Sequence, residues 1–185
     1  MEPSPNVAPE ERDFPRQGRL AGVDFGTVRI GVSICDPMWI LVSPLEIRAV
    51  TDRDRDAAYF RELAKREHVD GWVVGLPIHC DGKESQKSVE ARKFAVWLGD
   101  ATSLPVRLFD ERFTTSAAQD RVRSARNPAG KAGSRNSGMK RSRERLVDAV
   151  AAQVLLESFI EAARYHDTLP GHPPTGPATG DAAID

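Results

Sequence analysis

The amino-acid sequence predicts a single α/β domain, a mixed five-stranded sheet with helices on both faces. Three observations predict it. Short β-rich runs alternate with amphipathic helical stretches through the middle of the chain. The first two runs are joined by a glycine turn too short for a crossover, which makes the sheet's start antiparallel. Helix-length segments separate the later runs, and these must cross over. The 185 residues suffice for one domain, and 40% hydrophobic with 29% charged residues can bury a core.

Leu20 to Asp24 and Ile30 to Cys35 are the first two strands, joined by Gly26-Thr27-Val28-Arg29, and Leu45 to Val50 completes a meander. Asp54 to Glu67 reads as a helix, with Ala57, Phe60, Leu63 and Ala64 on one stripe. Gly71 to Gly75 is a buried strand closed by Leu76-Pro77. After the Asp81-Gly82 turn, Glu84 to Leu98 repeats the helical pattern through Ala91, Phe94, Ala95 and Leu98. Val106 to Phe109 is the fifth strand. Thr114 or Thr115 can cap a further helix to about Ser124, Ala125 to Met139 reads as a loop, and a last helix runs from about Ser142 to Arg164. The proline-rich ends, residues 1–18 and 166–185, are expected to be disordered tails around a domain of residues 19–165.

No apolar run approaches the roughly 20 residues of a membrane span. No basic start leads into an apolar run, so export is not expected and the chain is read as cytoplasmic, with Cys35 and Cys80 as free thiols. Charge is unevenly distributed. Arg121 to Arg145 holds nine Lys/Arg against one acid, Glu144, a net +8, which leaves −9 for the remainder of a chain whose total is −1. Such a stretch either docks phosphates or is a solvated basic loop.

Three carboxylate positions stand out. Asp24 closes the first strand, as a turn-former or as a metal ligand on a rigid support. Asp110 and Glu111 close the fifth strand, and alternation sends them to opposite faces, so only one can share a site with Asp24. Asp148 shares a helical stripe with Ala152, Leu155 and Phe159. It is therefore carried inward, to meet a cation, to pair with Arg145 or Arg141, or to sit favourably near the helix N-terminus. Three converging carboxylates would make the oxygen-rich site that magnesium prefers.

These elements resemble the YqgF family, also called RuvX, over about Leu20 to Glu161. The resemblance is carried in order by Asp24-Phe25-Gly26-Thr27-Val28-Arg29-Ile30-Gly31-Val32, by Val73-Val74-Gly75-Leu76-Pro77 with Asp81-Gly82 and Ala91-Arg92-Lys93-Phe94-Ala95, by Asp110-Glu111-Arg112-Phe113-Thr114-Thr115, and by Val147-Asp148-Ala149-Val150-Ala151-Ala152 with Leu155-Leu156-Glu157-Ser158. It implies a ribonuclease H-like fold and a metal-dependent nuclease using Mg2+ or Mn2+. Asp24, Glu111 and Asp148 would be its catalytic and metal-binding acids, with Asp110 in reserve. Arg112 would lie beside the scissile phosphate and Arg29 would support the backbone; independently of the resemblance, the charge of the basic stretch makes Lys140, Arg141, Arg143 and Arg145 candidates for binding nucleic acid. The expected partner is precursor 16S rRNA, cut near its 5′ end in ribosome maturation. His79 stands where the family usually has asparagine, and it is left out of the site.

Three rival readings are weighed. A junction resolvase would cut branched DNA as a symmetric dimer, and the sequence leaves monomer or homodimer open. The Asp24-x-Gly26-Thr27 turn also resembles the phosphate-cradling hairpin of actin-like ATPases and sugar kinases, which need a second lobe for which this chain has no second hairpin. A non-catalytic nucleic-acid binding module would lack one of the acids.

Overall fold

The computed structural model describes residues 14–78, 85–110, 137–166 and 168–174, with the side chains of 137–148 outside that description. Strand β1 is Arg19–Phe25, β2 Arg29–Cys35 and β3 Val42–Ala49. Helix α1 (Arg53–Glu67) leads to β4 (Val69–Leu76), α2 (Gln86–Thr102) to β5 (Val106–Asp110), and α3 is Ser137–Tyr165. The sheet order is β3-β2-β1-β4-β5. β1 pairs antiparallel with β2 and parallel with β4, so it lies at the centre. β3 joins antiparallel to β2, and β5 parallel to β4.

Strand alternation divides the core in two. Ala21 and Val23 of β1 face a cluster with Ile30, Phe60, Trp72, Ala95 and Leu98, beneath α1 and α2. Leu20 faces the other cluster, with Val73, Phe109, Leu155, Leu156 and Phe159, beneath α3. The expected mixed sheet with helices on both faces is present. Side-chain oxygens satisfy the first amides of the first two helices: Asp52 accepts from Arg55 N–H at 2.9 Å, and Ser85 forms a reciprocal box with Ser88.

Some boundaries differ from the sequence reading. β3 begins three residues earlier than expected, because Pro44 is tolerated on an outer strand where the ladder shifts between Val32 and Ser33. α2 runs four residues past Leu98, through Gly99. A Cβ at Gly99 would lie 3.3 Å from Val106 Cγ2, so the missing side chain lets the helix approach β5. α3 starts at Ser137 rather than Ser142, because Gly138 and its neighbours read as a loop. The helix expected at 114–124 lies outside the described residues.

Neither end of the domain stops where composition suggested. Phe14 is buried, its ring edge-on to Phe159 at 5.9 Å. Leu169 is buried too, and residue 172 is bridged to β5. Within the expected tails, residues 14–18 and 168–174 therefore belong to the folded domain, and residues 1–13, 167 and 175–185 lie outside the described residues. Packing on the sheet outweighed a composition rich in proline and glycine.

One buried charge is met entirely within the fold. Asp56 accepts from Arg48 Nη2 at 2.7 Å, Thr51 Oγ1 at 2.6 Å and Thr51 N–H at 3.1 Å. Burial pushes its carboxyl up, but these donors outweigh burial and hold it below the ordinary value. A depressed carboxyl stabilises the fold above its unfolded pKa, near 4, and that contribution is lost as pH falls through the lower folded value. Asp56→Asn should cost about 2 kcal/mol at pH 7, a buried-pair loss discounted because Arg48 is partly in water. The gap to wild type should shrink by pH 3 in denaturant titrations.

Candidate active site

The α3 side of the sheet carries the candidate site, and the seating of α3 defines it. A Cβ on Gly22 would lie 2.6 Å from Ser33 Oγ, 2.8 Å from Leu156 Cβ and 3.1 Å from the Ala152 carbonyl oxygen. Only a strand residue without a side chain lets the helix come this close. Ser33, paired with Gly22 across β1 and β2 and fully buried, donates its hydroxyl to the Ala152 carbonyl at 2.7 Å. At its other end α3 is tied by Arg164, which donates to the carbonyl of Trp39. The Trp39 indole N–H in turn donates to the Gly18 carbonyl at 2.8 Å, just before β1. The C-terminal end of α3 therefore lies at the start of β1, and its N-terminal half points toward the end of β1, where Asp24 is.

Asp24 shares the alternation of Leu20 and Gly22, so it belongs to the α3 face, partly exposed. Position 148 is one turn before Ala152 and lies at the same end of the helix backbone; its side chain is outside the described residues. Arg29 opens β2 on the phase of Ser33, hence on the same face, and its carbonyl accepts from Gly26 N–H at 3.0 Å to close the hairpin. Asp24, position 148 and Arg29 are thus brought to one end of one face.

Asp110 falls differently. On β5, Val106 and Leu108 pack into the α1/α2 core, while Phe109 packs into the α3 core. Asp110 takes the phase of Leu108, opposite to that of Asp24, so it does not fit the reserve role. Glu111, Arg112 and His79 lie outside the described residues. Lys140, Arg141, Arg143 and Arg145 lie on the α3 backbone, with side chains outside the description. Among the described residues no group of three potential metal ligands occurs, and no helix is long and apolar enough to cross a membrane. Cys35 is buried, and burial raises its thiol pKa.

Sequence reasoning missed Gly22 and Ser33, which carry no reacting group yet position α3. The available signal was a glycine between two apolar residues inside a strand, which marks a close approach.

The sheet order and the helices on both faces are of ribonuclease H-like architecture. The solved RuvC of T. thermophilus bound to a Holliday junction shares the fold, with a TM-score of 0.51 at 16% identity over 83% of this chain and 99% of that one. A family model described as "RuvX: Holliday junction resolvase" matches residues 18–162, and the chain belongs to that family. A Rhodopirellula baltica protein named "Putative pre-16S rRNA nuclease" is 59% identical over 88% of this chain and 87% of its own length. A protein of the same name from Mycobacteroides abscessus is 38% identical over 82% and 86% respectively. The chain is accordingly a phosphodiester-hydrolysing nuclease.

Gly22→Ala tests the seating of α3. The new methyl must displace Leu156 or the helix, a loss of about 1–3 kcal/mol for an overpacked core. The variant should still fold at 25 °C by circular dichroism yet cleave at least tenfold more slowly, because an error well below 1 Å at such a site is costly.

Proposed function

We propose that this nuclease hydrolyses precursor 16S rRNA near its 5′ end, in the cytoplasm, with a divalent cation held by carboxylates. The observation that carries the site is the seating of α3 on Gly22, which directs the half of the helix bearing position 148 toward Asp24. The rRNA substrate is supported by the names of relatives up to 59% identical along most of their length.

Asp24, Asp148 and Glu111 would hold the ion. All three offer hard carboxylate oxygens, which suit Mg2+ or Mn2+ and not a thiolate-seeking metal. Asp24 meets the requirement for a rigid ligand, since it ends the central strand with β2 and β4 on either side. Glu111 is preferred over Asp110 because Asp110 takes the phase of Leu108 on β5, opposite to that of Asp24. The bound cation would offset the negative charge that gathers on the phosphate oxygens.

The remaining roles belong to cationic side chains. Arg112 would bind the scissile phosphate with its planar fork of donors. Arg29, on the Asp24 face, would hold a neighbouring phosphate. The basic stretch up to Arg145, including Lys140, Arg141 and Arg143, would carry the flanking strand, each bound phosphate releasing counterions.

A second reading is cleavage of branched DNA, favoured by the description of the matching family model. A resolvase of this kind would act as a homodimer. Single-turnover assays with end-labelled precursor rRNA and a four-way junction separate the two, and junction-only cleavage would end the rRNA assignment.

Two variants follow from the site. Asp24→Asn and Asp148→Asn should each lower cleavage by roughly 100-fold or more, the scale of losing one electrostatic stabiliser of a transition state, without shifting the thermal melt downward. Neutralising Arg141, Arg143 and Arg145 together should flatten the dependence of log affinity on log salt by about 0.7 for each phosphate that the protein no longer neutralises. An unchanged slope would make that segment a solvated helix face.

A further inference from the structure

Arg107 stands inside β5 and is 1% exposed. Its guanidinium donates to three successive carbonyls beyond α3: Nη2 to Leu169 at 3.0 Å and Gly171 at 2.7 Å, and Nε to Pro170 at 2.9 Å. The backbone of His172 exchanges two hydrogen bonds with Leu108, 2.8 and 3.0 Å long. Gly171 has φ +75°, and a Cβ there would lie 2.1 Å from the Leu108 carbonyl oxygen, so the turn requires glycine. Residues 168–174 are therefore a fixed strap on the edge of the sheet. They also lie outside the span matched by the family model, 18–162.

This strap walls a cavity of about 500 Å³ at the C-terminal ends of β4 and β5. Ile78, Phe109, Ala162 and Pro170 line it with apolar surface, and Thr168 and His172 supply polar edges. His172 Nδ1 lies 2.9 Å from the Pro173 carbonyl oxygen. A carbonyl can only accept, so Nδ1 carries the proton and Nε2 of the neutral ring is an acceptor. Asp110 contributes negative charge at the same cavity. One residue past the Val23–Val74 pair, Asp24 is level with Gly75, which pairs with Phe109. The cavity thus begins about two strand spacings, ~10 Å, from Asp24.

We infer that this cavity receives one nucleobase of the substrate strand, next to the nucleotide being cut. The inference rests on the active-site reading above for its distance from the cut. A base has two flat apolar faces and N–H donors at its edge, matching apolar walls with acceptors between them. The apolar walls suit the flat faces of a base better than a charged phosphate group. The volume falls in the range of small-molecule sites, and the Arg107 latch keeps the strap from collapsing into it.

The experiment is a scan of single abasic positions through whichever substrate, precursor rRNA or junction, the wild-type protein cleaves. Wild type should lose roughly tenfold in kcat/KM at one position near the cut, the scale of removing one stacked base. His172→Ala and Thr168→Val keep the backbone latch and should cleave the intact substrate more slowly, yet show no further loss at that position. Equal loss in wild type and variants would overturn the pocket. So would sensitivity to a neutral phosphate replacement instead of to base removal. If wild type cleaves neither substrate, the active-site reading has failed. The pocket is then read from binding of a fluorescent pentanucleotide, which His172→Ala should weaken and an unchanged affinity would refute.

Discussion

The close approach of α3 to Gly22 is the interaction on which the arrangement of the site depends. Burial of Leu155, Leu156, Phe159 and Ile160 supplies the energy, about 1.5–3 kcal/mol for each side chain taken fully from water. Apolar burial is nearly indifferent to a small slide of the helix, so it cannot by itself choose a register. The hydroxyl of Ser33 can, because its bond to the Ala152 carbonyl forms at one setting only. Its net worth is about 1 kcal/mol, but an unmet hydroxyl in that dry seam would cost more. A second tie at Arg164 and Trp39 keeps the helix from pivoting about the first.

The same division between apolar energy and polar register recurs at the sheet's edges. β3 is an outer strand, and Pro44 together with a register shift interrupts the row of groups it could offer to another chain. β5, the other outer strand, is covered by the strap, whose backbone pairs with Leu108. A guanidinium buried in that strand would be very costly alone. Three carbonyls and the ring of Phe14, 5.8 Å away, surround it. Phe14 and the strap thus both close on Arg107, and the described domain extends beyond the span that the family model matches.

What could be read from the sequence follows from the range of the forces involved. Alternation and helical stripes are local, so all five strands and the helices around Phe60, Phe94 and Leu155 were legible. The place of Asp24 at the end of the first strand was legible for the same reason, since the apolar run stops there. Pro44 and Gly99 misled, since each is a breaker in isolation and is tolerated only through a neighbour: an open edge for one, Val106 for the other. The strap was illegible because it is held through its own backbone groups and its composition is that of a tail. One clue was present, an arginine between Val106 and Leu108 in a strand that must be buried. The face taken by Asp110 could be read only once the separate cores of Leu108 and Phe109 are seen.

Bringing a second carboxylate to Asp24, as proposed, sets these terms against one another. Two unit charges about 4 Å apart in a medium of effective dielectric 20 repel by ~4 kcal/mol. Four apolar side chains on α3, at about 1.5–3 kcal/mol each, exceed that repulsion. The helix therefore stays seated whether or not the charges are neutralised. Packing would hold together acids that otherwise separate, and a divalent cation bound by them would turn the remaining repulsion into attraction without any need for the helix to move. A site of that kind would be preorganised by residues that never touch the substrate, with Gly22 and Ser33 setting where the helix sits.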